Sequence, residues 1–204
     1  MNAPSAPFWR EKLIAAAQAD FDLRARLAKT GDLFDGYNPE MEALHLANAM
    51  VWEEALDAIG WPGPKAVGSD GAAAAFLILQ HAISRPDLQR RGLEALLEAA
   101  AIGQANVLDA AYLSDRIAVF EGRGQVFGTQ MDWDAEGVLS PAEINDPEGL
   151  DERRASVGLP PLDVQLEQAR AHAAAEGHGP PMDLAARRIA FAAWAIKVGW
   201  RKPV

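Results

Sequence analysis

A chain of 204 residues, half of them hydrophobic, is long enough to bury one sizeable core without covalent staples. It contains no cysteine, which excludes disulfides, thiolate metal sites and cysteine nucleophiles. A net charge of −10 argues against nucleic acid as a partner, because phosphate binding draws on Lys and Arg. The opening MNAPSAPFWREKLIAAAQADF lacks a basic segment followed by an apolar run, so no signal peptide is expected. No apolar stretch reaches the ~18 residues of a membrane span. These features lead to the expectation of a soluble, acidic, cytoplasmic protein.

Ala and Leu dominate long periodic segments, which places the chain in the mainly α class. A first helix is predicted from Phe8 to Lys29, stopped by Thr30-Gly31. Asn38-Pro39 opens a second, with Asn as cap and Pro at the first helical position, ending near Gly60. Ser69-Asp70 caps a third, Pro86 starts a fourth through Ala101, and Asn106 caps a fifth that runs to Glu121-Gly122. Gln125 to Trp133 reads as a strand from its aromatic, Thr and Val content. Asp134 to Gly137 is a turn, and Val138 to Ile144 returns as an edge strand containing Pro141. Two further helices follow Asp146-Pro147 and Pro160-Pro161, ending around Glu176. The expected fold is therefore a compact multi-helix domain with a small β-hairpin inserted after the fifth helix. That domain is read as residues 1–176, with a linker and a C-terminal amphipathic helix over 177–204.

The tail differs from the body in charge: Arg187, Arg188, Lys197, Arg201 and Lys202 stand against Asp183 alone. An Ala-rich apolar face favours docking on the acidic body, or on a second copy of the chain as a homo-oligomer, over lying on a membrane.

Two helices carry polar residues where apolar ones are expected. In the third, Ala72 to Leu79 with Ala82 and Ile83 cover almost every direction of the wheel, and Gln80 and His81 are the large polar exceptions. In the fifth, Asp115 falls in the middle of the stripe Val107, Leu108, Ala111, Tyr112, Ala118 and Val119. A carboxylate there needs a partner, since Asp is almost never fully buried unpaired. His81 and Arg123 are the expected partners. A buried His–Asp network can serve chemistry or simply fix helix register, and spacing alone leaves both open. Glu42 to His45 has a single Glu-x-x-His, whereas di-iron bundles need two. There is no phosphate loop, dinucleotide fingerprint or nucleophile elbow.

The ordered residues Gly36-Tyr37-Asn38-Pro39-Glu40-Met41, Gly60-Trp61-Pro62, Gln80-His81-Ala82, Tyr112-Leu113-Ser114-Asp115-Arg116, Glu121-Gly122, Gln125 and Gly128-Thr129-Gln130 are similar to a bacterial family. The chain is identified, over about residues 36 to 165, as resembling domain-of-unknown-function family 6624. The resemblance implies no activity. It implies a signature on Gln80, His81, Tyr112, Asp115, Arg116, Glu121, Gln125 and Gln130, an inventory better suited to a pocket than to a core. The resulting expectation is metal-free acid–base chemistry with no cofactor, acting on a small-molecule or peptidic anionic substrate by hydrolysis, elimination or transfer. His81 is the acid–base group, Asp115 orients it, Tyr112 offers a hydroxyl, and Arg116 clamps the anion. Gln80, Glu121, Gln125 and Gln130 bind substrate. The alternative is a non-enzymatic module that recognises a peptide or protein with the same residues.

Overall fold

The computed structural model of the protein describes residues 5–33 and 36–203, so the first four residues of the segment read for a leader lie outside it. The fold is mainly α, with eight helices among the described residues and a small antiparallel hairpin after the fifth helix. The chain divides into two compact units, Met1–Asn106 and Val107–Val204, with the break before the fifth helix.

The first unit is a bundle of α1 (Ala6–Thr30), α2 (Pro39–Ile59), α3 (Pro64–His81) and α4 (Pro86–Ala101). Gly31 ends α1 in the left-handed region, where its amide reaches back to Ala28. Asn38 caps α2 by accepting from the amides of Glu40 and Met41, as its position before Pro39 suggests. Helix α3 begins five residues earlier than Ser69-Asp70 implies, and the reason is Gly68. At φ 73° and ψ 167° it breaks the helix into two segments, the second of which starts at Ser69. Asp70 then accepts from the Gly71 amide and pairs with Arg10 of α1.

α1 packs on α2 and α3, and α3 on α4. Leu13, Trp52, Ile78, Leu79, Leu88 and Leu96 are fully enclosed between them. Each such side chain contributes about 1.5–3 kcal/mol relative to exposure. Gly92 brings α4 onto α3 so closely that a Cβ there would stand 2.5 Å from a Leu79 methyl. The buried Gln89 side chain donates to the carbonyls of Leu79 and Gln80, satisfying backbone groups that the end of α3 leaves open. The apolar α3 of the sequence reading is thus half-buried, its Ala74, Ala75, Ile78 and Leu79 facing the core.

The second unit comprises α5 (Val107–Glu121), β1 (Met131–Trp133), β2 (Leu139–Pro141), α6 (Leu150–Ser156), α7 (Leu162–Ala175) and α8 (Leu184–Lys197). The strands pair antiparallel with Asp132 opposite Ser140. Asp134 holds the turn between them, accepting from the amides of Glu136 and Val138 and from the Ser140 hydroxyl. Only residues 131–133 of the expected 125–133 strand pair in this hairpin. The preceding residues spend their amides elsewhere, as described below.

The basic helix docks within its own unit. Phe191, Trp194 and Trp200 surround Phe120 of α5 at centroid distances of 5.2–5.8 Å. Arg201 donates to the carbonyls of Val119 and Phe120, closing the C-terminal end of α5. Arg187 pairs with Asp132 at 2.9 Å. No helix among the described residues is long and apolar enough to cross a membrane.

Candidate functional site

Three helices of the first unit bring one carboxylate and two imidazoles together. Asp20 lies on the buried face of α1 with Trp9, Leu13, Ala16, Ala17 and Leu27, one stripe at helical spacing. His45 stands on the buried face of α2 between Met41 and Asn48. Asn48 ties that face to α1 by donating to the Ala16 carbonyl at 3.0 Å. His81 is the last residue of α3. His81 Nδ1 lies 2.8 Å and His45 Nε2 3.0 Å from the same oxygen, Asp20 Oδ2. The carboxylate is 1% exposed, whereas the His81 side chain is 27% exposed, so the cluster is sealed at its anion and open at one imidazole.

Two atoms of the cluster are poorly served. Asp20 Oδ1 is buried and accepts no hydrogen bond. His45 Nε2 is close to Oδ2, yet its ring direction misses the oxygen, so the contact is an approach without a hydrogen bond. Burial pushes the Asp20 carboxyl up, but the two imidazoles outweigh it and hold it well below the usual carboxylate range.

Behind His45 runs a chain of hydroxyls. Tyr37 Oη lies 2.7 Å from His45 Nδ1. Tyr37 also hydrogen-bonds Ser84, whose hydroxyl donates to Glu42 at 2.6 Å. Burial, and after it the Glu42 charge, push the Tyr37 phenol up and keep it protonated. The Glu42 carboxylate only accepts, so it takes the Ser84 proton. Nδ1 of His45 thus faces Tyr37, and Nε2 faces Asp20. Glu42 and His45, the lone Glu-x-x-His of the sequence, belong to one network as its two ends.

The partner expected for His81 is replaced: Asp20, not Asp115, orients it. Asp115 lies in the second unit and is fully engaged there. Its Oδ1 accepts from the amides of Val126 and Phe127, and its Oδ2 from the amide and hydroxyl of Thr129. Residues 126–129 wrap around this carboxylate, which is why they are not strand, while Gln125 forms an isolated bridge with Ile144. The buried Gln125 side chain closes the same loop, donating to Gln130 O and Ala142 O and accepting from the Gln130 amide. Gln130 donates to Thr129 Oγ1 at 3.0 Å.

The remaining expected residues scatter. Tyr112 accepts from Gln165 at 3.1 Å, and Glu121 pairs with Arg123, the other expected partner of Asp115. Burial pushes the Arg116 guanidinium down. Arg154, which attracted no notice in the sequence, is the buried cation of this unit and donates to Phe127 O and Pro160 O. Gln80 and His81 share the end of α3. The open cleft of 480 Å³ lined by Leu56, Trp61, Arg91, Glu94 and Glu98 is a separate feature of the first unit and does not include His81.

Asp20 and Tyr37 are the members to which sequence reading gave no role, and His45 was set aside with the lone Glu-x-x-His. Asp20 carried a usable signal, the same one that singled out Asp115: a carboxylate centred on an apolar stripe.

A family model described as a family of unknown function, DUF6624, matches residues 7–174, and the chain belongs to that family. The match includes α1, which the resemblance over residues 36–165 left outside, and so takes in Asp20. No curated protein and no solved structure matches the chain.

Proposed function

We propose that this member of the DUF6624 family is an enzyme that moves a proton to or from a small or peptidic substrate at the Asp20–His45–His81 cluster. The observation that carries the reading is the half-exposed His81 set on a carboxylate that is sealed from water. Asp20 accepting from Nδ1 fixes the His81 tautomer and leaves Nε2 as the nitrogen that takes a proton from water or a substrate hydroxyl. A sealed anion also stabilises the imidazolium formed in that step, because little solvent screens the pair. His45 and the Tyr37–Ser84–Glu42 chain hold the far side of Asp20 in place. Hydrolysis, elimination and group transfer all use such a base.

The reading is tested by assaying the full chain on chromogenic carboxylic and phosphoric esters and on a peptide mixture. Turnover should fall by about 100-fold or more in His81→Gln and in Asp20→Asn. It should be unchanged in a variant lacking His172 and His178, which lie on α7 and beyond it. Turnover indifferent to both substitutions would sink the proposal.

A further inference from the structure

We propose that Asp20, His45 and His81 are the ligands of a divalent first-row transition metal, with Zn²⁺ as the expected occupant. The proposal rests on the preceding reading only for the cluster being the working centre, and it names what that centre holds.

The ligand atoms of the three residues lie within 4.8 Å of one another, on three different helices of one bundle. Two imidazoles and one carboxylate are a donor set suited to zinc or iron, with the remaining positions left to water or substrate. The spacing agrees. With bonds of about 2.1 Å, neighbouring ligand atoms stand about 3.0 Å apart around an octahedral ion and about 3.4 Å apart around a tetrahedral one. The two nitrogen-to-oxygen distances are 2.8 and 3.0 Å, so these two contacts would lengthen by up to about 0.2 Å around an octahedral ion and about 0.6 Å around a tetrahedral one.

A second observation points to the cation independently of that geometry. Asp20 and His45 are each more than nine-tenths buried, and each brings an unpartnered atom to the cluster, Oδ1 and Nε2. With Nδ1 of His45 turned to Tyr37, Nε2 is the ring nitrogen that faces the carboxylate. In the tautomer that leaves Nε2 unprotonated, it and the carboxylate oxygen repel at 3.0 Å unless a positive charge joins them. The off-axis ring direction at Nε2 favours a charge beside the nitrogen-to-oxygen line over a proton on it. A hydrogen-bonded partner behind the coordinating imidazole, here Tyr37 at Nδ1 of His45, is the usual support of a metal-bound histidine.

With the ion in place, His81 passes from base to ligand through Nδ1, and its tautomer reverses to Nε2–H. A metal-bound water then supplies the proton-transferring group. The half-exposed rim at His81 is the side from which water reaches the ion.

The test titrates chelator-stripped full-length protein with Zn²⁺ by calorimetry and with Co²⁺ by visible absorption. One equivalent per chain is expected, with affinity lowered at least 100-fold in Asp20→Asn and in His81→Gln. Because Asp20 is buried, its variant is checked for native circular dichroism, and the wild type supplies a reading free of substitutions. In long-range proton–nitrogen spectra, Zn²⁺ should shift the ring nitrogens of His45 and His81 and leave those of His172 and His178 unmoved. Absence of binding at micromolar Zn²⁺, shifts confined to His172 and His178, or a wild-type His81 that keeps Nδ1–H with Zn²⁺ bound would each overturn the proposal. None of these readouts requires turnover, so failure of the metal site and failure of the enzyme reading are separate results.

Discussion

Asp20 and Asp115 are both buried carboxylates in the middle of an apolar helical stripe, and they live in different chemical worlds. Asp115 is surrounded by three backbone amides and a hydroxyl, which belong to the loop it organises. Asp20 has no amide at all among its partners. It meets two side chains that can gain and lose protons, and one of its oxygens goes unserved. A carboxylate held by amides is fixed, since amides cannot titrate; one held by imidazoles shares its charge with groups that can change state. The contrast separates a fold-organising acid from a chemically available one more sharply than burial does.

The largest effect should come from Asp115→Asn. The new amide turns a donor towards amides that are themselves donors, so unfolding free energy should fall by about 3–5 kcal/mol in a denaturant titration. A loss under about 1 kcal/mol would break the contrast from the structural side. Next is Gly92→Ala, whose methyl has no room beside Leu79; overpacking should cost about 1–3 kcal/mol and weaken hydrogen-exchange protection in α3 and α4. Asp20→Asn should cost only about 1 kcal/mol by the same denaturant titration, because Asn still offers one acceptor, while the proposed Zn²⁺ affinity falls at least 100-fold. A loss matching that of Asp115→Asn would show that both acids serve the fold. The smallest effect concerns Asp134, an exposed carboxylate held low chiefly by the Val138 amide and then by Ser140. A lowered carboxylate stabilises the turn fully above the ordinary range and loses that contribution as pH falls through its own value. The Val138 amide resonance should therefore titrate below pH 4, and a midpoint at or above the ordinary value of about 3.9 would contradict the geometry.

Helix count, the Asn38 cap, the Gly31 stop and the hairpin's position were legible because each depends on residues near one another in sequence. The start of α3 was not, because Gly68 interrupts a helix without ending it. Residues 125–130 have strand composition, but composition does not say whether amides will find a neighbouring strand or a carboxylate. His81 was recognised as odd within an apolar helix, yet its partner sits 61 positions earlier and is chosen by how α1 and α3 align. Asp115 looked like the natural partner because it was the other conspicuous buried group. Periodicity tells which face a residue takes and is silent about which face meets it.

The arginine that closes α5 carries a consequence for the order of synthesis. The first unit is contiguous, so all four of its helices exist once residue 106 has left the ribosome. The carbonyls of Val119 and Phe120 must wait for Arg201, and the ring of Phe120 for Trp200. Domains fold as they emerge, so the half carrying the His–Asp–His cluster can mature early while the other half stays unfinished until Arg201 is added. Ribosome-stalled chains ending near residue 150 should show hydrogen-exchange protection in α1–α4 and none in α5.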